Sequence, residues 1–237
     1  MKNFKIILAF LLTSIFFISC SDESGSNQTH KNLLLQWSDK DNGLKADYTY
    51  DSDNKLINYK LNGNANNPSR DYNFSYNADG TLDELINASS GEILQKYTYN
   101  SDKKLIKMEG GSNVHNYTYS GSEVTDNYRY SVTNTGWREV YTYDSKGNII
   151  EAKSYSNASD ANPLGTYSGI ITYTYDDKNN AQSSVPSAFL FPNSVNNIKS
   201  DNYDNEGGEV YTYEYNADNY PVKRTGYDVR TYVYQRL

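Results

Sequence analysis

Apolar and hydroxyl-bearing residues alternate with polar ones along most of this chain, in short runs broken by clusters of Asp, Asn, Ser and Gly. Tyr141-Thr142-Tyr143, the break Asp144-Ser145-Lys146-Gly147-Asn148 and the restart Ile149-Ile150 form one such unit. A period of two over runs this short predicts half-buried strands, and the breaks predict turns. No helical pattern of useful length interrupts the series.

Variants of that unit recur at Tyr50-Asp51-Ser52-Asp53-Asn54-Lys55-Leu56, Tyr76 to Leu82, Tyr99 to Leu105, Tyr143 to Ile149, Tyr175 to Ala181 and Tyr215 to Pro221. Each turn opens on Asp or Asn, whose side chain accepts a backbone hydrogen bond two residues on. Its fourth position is Asn54, Gly80, Lys103, Gly147, Asn179 or Asn219. All but Lys103 are Gly or Asn, the residues that tolerate positive φ. The pattern predicts a three-residue hairpin loop with a left-handed residue and a G1 bulge, and about 1 kcal/mol of strain at Lys103. In that register Tyr50 faces Leu56, Tyr99 faces Leu105 and Tyr143 faces Ile149. Thr49 with Ile57, Thr98 with Ile106 and Thr142 with Ile150 fall on the opposite side.

Taken in order, Leu33 to Trp37 reads as the first strand. Hairpins follow near 44–61, 70–85, 93–109, 137–155 and 167–182, with strands at 114–119 and 128–132 and closing strands near 208–215, 221–225 and 229–235. The sum is an all-β, antiparallel meander of about fourteen strands, too many to stay flat, and therefore a rolled sheet or soluble barrel, with a two-sheet sandwich as the alternative. Between Ala181 and Glu209 the run Val185-Pro186-Ser187-Ala188-Phe189-Leu190-Phe191-Pro192 is the one concentrated apolar stretch outside the strands. It reads as a short helix or ordered loop that plugs or caps the sheet. The alternating faces carry Thr, Asn, Lys, Glu and Tyr, as at Lys104 and Lys107 or Asn148 and Glu151, not the clean apolar band of a membrane-spanning barrel.

The N-terminus changes the picture. Lys2 and Lys5 precede an apolar run, Ile6 to Ile18, too short for a spanning helix and suited to a signal-peptide core. It ends at Cys20, the only cysteine, in a sequence that resembles a bacterial lipobox. Residues 1–19 are thus expected to be a signal peptide, Cys20 the lipidated first residue, 20–32 a polar tether, and 33–237 the Tyr-rich β-domain. Such a domain has no internal disulfide and relies on packing. The formal net charge of −7 argues against a nucleic-acid partner. The 25 Tyr against 7 Phe suit sheet faces that are neither fully buried nor fully wet.

The phrase Tyr141 to Ile150 resembles the YD (Rhs-type) repeat, whose hairpins stack into β-shells. With the lipobox at Cys20 and the closing phrase Tyr215 to Lys223, residues 33–235 are similar to Bacteroidota lipoproteins that carry a domain of unknown function with a porin-like β-fold. That resemblance implies fold and address: an outer-membrane lipoprotein, either exposed at the cell surface or facing the periplasm. The acidic Ser21-Asp22-Glu23 resembles the surface-export signal of such lipoproteins. No catalytic residue is carried over.

Candidate chemistry is sparse. His30 and His115 have no metal-ligand spacing around them, and a structural or solvated role accounts for both. Neither a Gly-x-Ser-x-Gly elbow nor a phosphate loop occurs. Most carboxylates sit at turns, and Asp83-Glu84 project to opposite faces of a strand. No cofactor is implied. The expected function is a non-enzymatic, lipid-anchored scaffold that binds a carbohydrate, a peptide or a partner protein, with Trp37 and Trp137 as candidate ligand-stacking residues. A structural YD-type shell component is the alternative, and a polysaccharide-degrading enzyme with two convergent carboxylates a third.

Overall fold

A computed structural model describes residues 32–204 and 206–237. Cys20, the expected signal peptide and nearly all of the tether lie outside those residues, as does His30. The first strands are β1 (Asn32–Asp39), β2 (Leu44–Tyr50), β3 (Leu56–Asn62), β4 (Arg70–Tyr76), β5 (Leu82–Asn87) and β6 (Ile93–Tyr99). Next come β7 (Leu105–Gly110), β8 (Asn113–Ser120), β9 (Glu123–Tyr130), β10 (Thr135–Tyr143), β11 (Ile149–Ser159) and β12 (Thr166–Tyr175). A 3-10 turn at Ser187–Phe189 precedes β13 (Ile198–Tyr203), β14 (Thr212–Tyr215), β15 (Pro221–Thr225) and β16 (Val229–Arg236). The described residues therefore hold sixteen strands in one sheet, against the fourteen or so expected, and β1 starts one residue early, at Asn32.

Every ladder is antiparallel, neighbours in sequence are neighbours in the sheet except β13 and β14, and β1 pairs with β16. The edges, β13 and β14, nearly meet. Ser200 bridges Val210, and Tyr211 N–H donates to Lys199 O at 2.8 Å just ahead of β14. The sheet is thus a nearly closed barrel, which removes most of the unpaired edge such a meander would expose.

The turns explain the regularity. Asp51, Asn77, Asn100, Asp144 and Asn216 each donate their N–H to the carbonyl four residues on, at 2.8–3.0 Å. Asn54, Gly80, Lys103, Gly147 and Asn219 have φ of 63°, 90°, 59°, 89° and 62°. Tyr50 pairs with Leu56, Tyr99 with Leu105 and Tyr143 with Ile149, as expected. The Thr–Ile pairs are not formed. A bulge directly beyond each turn moves Thr49 opposite Asn58, Thr98 opposite Lys107 and Thr142 opposite Glu151, leaving Ile57, Ile106 and Ile150 as the extra residues.

The hairpin expected at 167–182 is absent, and Asn179 is not among the described residues at positive φ. Asp176 N–H donates to Asn197 O at 3.1 Å, and Asp176 Oδ1 accepts from the backbone N–H of Lys178 and Asn197 at 3.0 and 3.2 Å. These bonds match those of Asp51 with Asp53 and Lys55. The turn is therefore intact but opened by an insertion, and Tyr175 pairs with Ile198 rather than Ala181. Asn179 instead ties the insertion to the last hairpin turn, donating its N–H to Asn219 O at 3.1 Å and its side-chain amide to Asp218 O at 2.9 Å.

The insertion enters the barrel. Val185 and Ala188 are buried in the same cluster as Leu34, Leu56, Tyr97 and Tyr117. Phe189 meets Phe74 and Tyr59 edge-on at 5.0 and 5.6 Å, and Phe191 meets Tyr117 at 4.8 Å. A barrel of this strand number is too wide for its wall side chains to fill, and the plug occupies the space.

Tyrosine hydroxyls stitch the hairpins together from inside. Tyr50, Tyr76, Tyr119, Tyr175, Tyr213 and Tyr234 donate to the carbonyls of Leu34, Leu56, Leu105, Ile149, Ile198 and Pro221 at 2.6–3.0 Å. Leu56 lies beyond the last β3–β4 pair, Asn58 with Asn73, and Leu105 beyond the last β7–β8 pair, Lys107 with Asn116. The phenol supplies the partner that the staggered ladder withholds, which is why these positions are Tyr and not Phe.

The outward face is polar. Lys60 opposes Asp71, Lys96 opposes Glu84 and Lys223 opposes Glu214, at 3.4, 3.0 and 2.7 Å. Its exposed apolar residues, such as Ile57, Ile150 and Val233, are scattered and form no band for a bilayer.

Candidate functional site

The alternating direction of successive strands gives the barrel two different ends. The Asx turns and the plug lie at one, where β1 also begins. The other is ringed by the connections after β1, β3, β5, β7, β9, β11, β13 and β15. Large apolar residues are exposed around this second mouth: Val132 at 83 %, Tyr227 at 79 %, Leu164 at 65 % and Trp137 at 39 %.

A cavity of about 360 Å³ opens at this mouth, lined by Tyr72, Leu85, Gln95, Met108, His115, Asn113 at the start of β8 and the loop residue Glu92 among others. Cross-strand pairing continues Tyr72, Met108 and His115 into rows of lumen-facing side chains: Tyr48, Tyr59 and Tyr72 lie side by side, and so do Tyr97, Met108, His115, Tyr128 and Trp137. Tyr128 stacks on Trp137 with centroids 3.8 Å apart, and His115 meets Tyr128 at 4.7 Å. Burial pushes the phenols of Tyr48, Tyr97 and Tyr117 far above their ordinary pKa, so they stay neutral donors at physiological pH.

One step inward from Trp137 and Tyr128, Glu139 and Asp126 are direct cross-strand partners on the lumen face. Asp126 is 4 % exposed. One oxygen lies 2.8 Å from His115 Nδ1, and the other has no hydrogen-bond partner. Glu139 accepts the Tyr141 hydroxyl. Burial, reinforced by the Asp126 charge and opposed by His115, raises the Glu139 carboxyl above its ordinary pKa.

The opposite wall carries balanced charges, with buried Asp39 the cross-strand partner of Arg230. Buried Asp228 is held between Arg224 and Arg230, the latter at 2.7 Å, and the Arg230 guanidinium lies 5.0 Å from the Trp37 ring centre. Trp37 pairs with Ala46 on β2 and Tyr232 on β16. It faces the lumen half-buried, packed against the core. The two tryptophans therefore stand on opposite walls, Trp37 on β1 and Trp137 on β10, and the structure does not bring them together. Asn54, Gly80, Gly147 and Asn219 shape turns at the plugged end, away from the mouth.

Sequence reasoning read His115 as structural or solvated and did not single out Asp126 or Glu139. The usable signal was the two-residue period, which puts His115 on the face of Tyr117, Asp126 on that of Tyr128 and Glu139 on that of Trp137 and Tyr141. No group of three or more His, Cys, Asp or Glu side chains among the described residues is disposed to hold a metal ion.

No protein-family model matches the sequence, and no curated protein does. Among solved structures the chain is similar to a porin-like protein from Bacteroides uniformis, at 14 % identity and a TM-score of 0.53, over 86 % of this chain and 97 % of that one. A porin-like protein from Bacteroides vulgatus matches at 13 % identity and a TM-score of 0.50, over 86 % and 99 %. A Photorhabdus luminescens Tc holotoxin pore chain aligns at 16 % identity with a TM-score of 0.33, over 81 % of this chain and 9 % of that one. At these identities the two Bacteroides structures establish a shared fold.

Proposed function

We propose that this protein is a non-enzymatic, lipid-anchored β-scaffold of the bacterial cell envelope that binds a ligand, carbohydrate or peptide, at the open mouth of its barrel. The observation that carries this reading is the mouth itself: a cavity of about 360 Å³ lined by Tyr72, Met108 and His115 among others, in the same cross-strand row as Tyr97, Tyr128 and the exposed Trp137 ring. Aromatic faces beside hydrogen-bonding groups suit sugar rings and peptide side chains alike. Topology adds an orientation. The first strand begins at the plugged end, so a lipid on Cys20 holds that end toward the bilayer and turns the mouth away from it. The tether between Cys20 and Asn32 reaches about 40 Å at most. A lumen filled by the plug counts against a shell that encloses another chain.

Two measurements test this. Palmitate labelling of cells expressing wild type and Cys20→Ser should mark the first alone. Glycan and peptide arrays probed with the mature protein should give hits that Trp137→Ala weakens; blank arrays would refute ligand binding at the mouth.

A further inference from the structure

We infer that the mouth selects ligands bearing a primary ammonium group, seated against the Glu139–Asp126 carboxylate pair behind the Tyr128–Trp137 stack. The inference rests on the reading that the mouth binds a ligand and names the chemistry it recognises. Like charges directly opposed across two strands repel, and here they face the lumen, where screening by water is reduced. The counter-charge supplied by the protein is incomplete. At lumen-facing positions of β8 to β11 the only group that can turn cationic is His115, which engages one oxygen of Asp126 at 2.8 Å.

Arg129 and Arg138 belong to the outward face: Arg129 binds the carbonyl of Tyr128 at 2.8 Å, and Arg138 lies 4.8 Å from the Tyr155 ring centre. Arg224 and Arg230 are committed to Asp228 on the far wall. The second oxygen of Asp126, in a side chain only 6 % exposed, is left without a donor. A buried carboxylate in that position calls for a cation or a donor from outside the chain. Around it stand electron-rich faces: Tyr128 and Trp137 toward the mouth, and Tyr117 beside Asp126. Carboxylate plus aromatic walls is the chemistry that holds an alkylammonium ion. Lysine side chains and unacetylated amino sugars both offer it.

The test is calorimetric titration of the mature protein at low salt with Nα-acetyl-lysine amide, glucosamine and N-acetylglucosamine, with tryptophan emission followed in parallel. Either ammonium probe should bind and perturb Trp137 emission, and the one that does identifies the source; uncharged N-acetylglucosamine should bind at least about tenfold more weakly than glucosamine. Glu139→Gln should weaken the ammonium probe about tenfold or more with the fold intact by circular dichroism, and Asp126→Asn should do the same. Equal binding of glucosamine and N-acetylglucosamine, or unchanged affinity in both variants, overturns the inference. If neither ammonium probe binds while an uncharged glycan or peptide does, and Trp137→Ala abolishes that binding, the ammonium site falls and the ligand-binding mouth stands. If neither these probes nor the arrays show binding, both fall.

Discussion

Replacing Tyr76 by Phe tests why this chain uses tyrosine where most cores use phenylalanine. The ring stays and only the hydroxyl is lost, together with its 2.7 Å bond to Leu56 O. Leu56 is 1 % exposed, and the β3–β4 ladder has already ended at Asn58. Its carbonyl then has no ladder partner and no water to replace the phenol. A buried acceptor left unpaired costs about 1–3 kcal/mol. Phenylalanine is the more apolar ring and recovers part of this, so the expected loss is about 1–2 kcal/mol, or about 2–8 °C in Tm for a domain of this size. Tyr234→Phe removes the equivalent bond to Pro221 O on a distant strand, and the double variant should be additive within about 0.5 kcal/mol. Tyr203→Phe, half exposed on β13, should stay within about 0.5 kcal/mol of wild type. The assay is urea unfolding with the m-value checked for constancy. Should Tyr76→Phe fall within about 0.3 kcal/mol of wild type at unchanged m, the stitching argument is wrong, because the staggered carbonyl would not need the phenol.

Gly147→Val should destabilise by about 1 kcal/mol or more and by more than Gly80→Ala. Both glycines have φ near 90°, but a Cβ at Gly147 meets Val195 Cγ2 at 3.1 Å while one at Gly80 meets nothing within 4 Å; denaturant midpoints for the pair decide it. Phe189→Ala removes the plug's contacts with Phe74 and Tyr59 and should cost about 2–4 kcal/mol, read by chemical denaturation; a loss below about 1 kcal/mol would mean the plug is not part of the core. Glu139→Gln should raise Tm at pH 8 and lose that advantage in acid. The folded-state pKa of Glu139 is raised by burial and by Asp126, so its favourable contribution is complete below the unfolded value of about 4.3 and disappears as pH rises through the folded value. A difference that grows as pH falls would contradict the assigned environment.

How far the chain could be read depended on how local each signal is. The bends at Asp51, Asn77, Asn100, Asp144 and Asn216 close within five residues, and their side-chain and backbone bonds were readable residue by residue. The bend at Asp176 has the same chemistry, but its closing partner, Asn197, lies beyond the insertion, and nothing near Asn179 or Ala181 reveals the exchange. The bulges that separate Thr49 from Ile57 were hidden for another reason. They cost one residue of register, which the Tyr50–Leu56 pair does not register and the flanking pattern does not resist. At the mouth, alternation placed His115, Asp126 and Glu139 on one face, yet His115 with loop residues upstream reads equally well as a solvated side chain.

The primary structure alone determined that this is an antiparallel ribbon of hairpins, because turn chemistry and period-two patterning act over fewer than about ten residues. It also carried the leader and Cys20 as an expectation of address. Tertiary structure alone decided that the ribbon curls until β1 meets β16, that the stretch from Val185 to Phe191 enters the lumen, and that two carboxylates share a wall with one histidine between aromatic rings. Those outcomes depend on shear accumulated over sixteen strands and on filling a volume that no single hairpin encloses, and neither quantity is written in any local stretch of sequence.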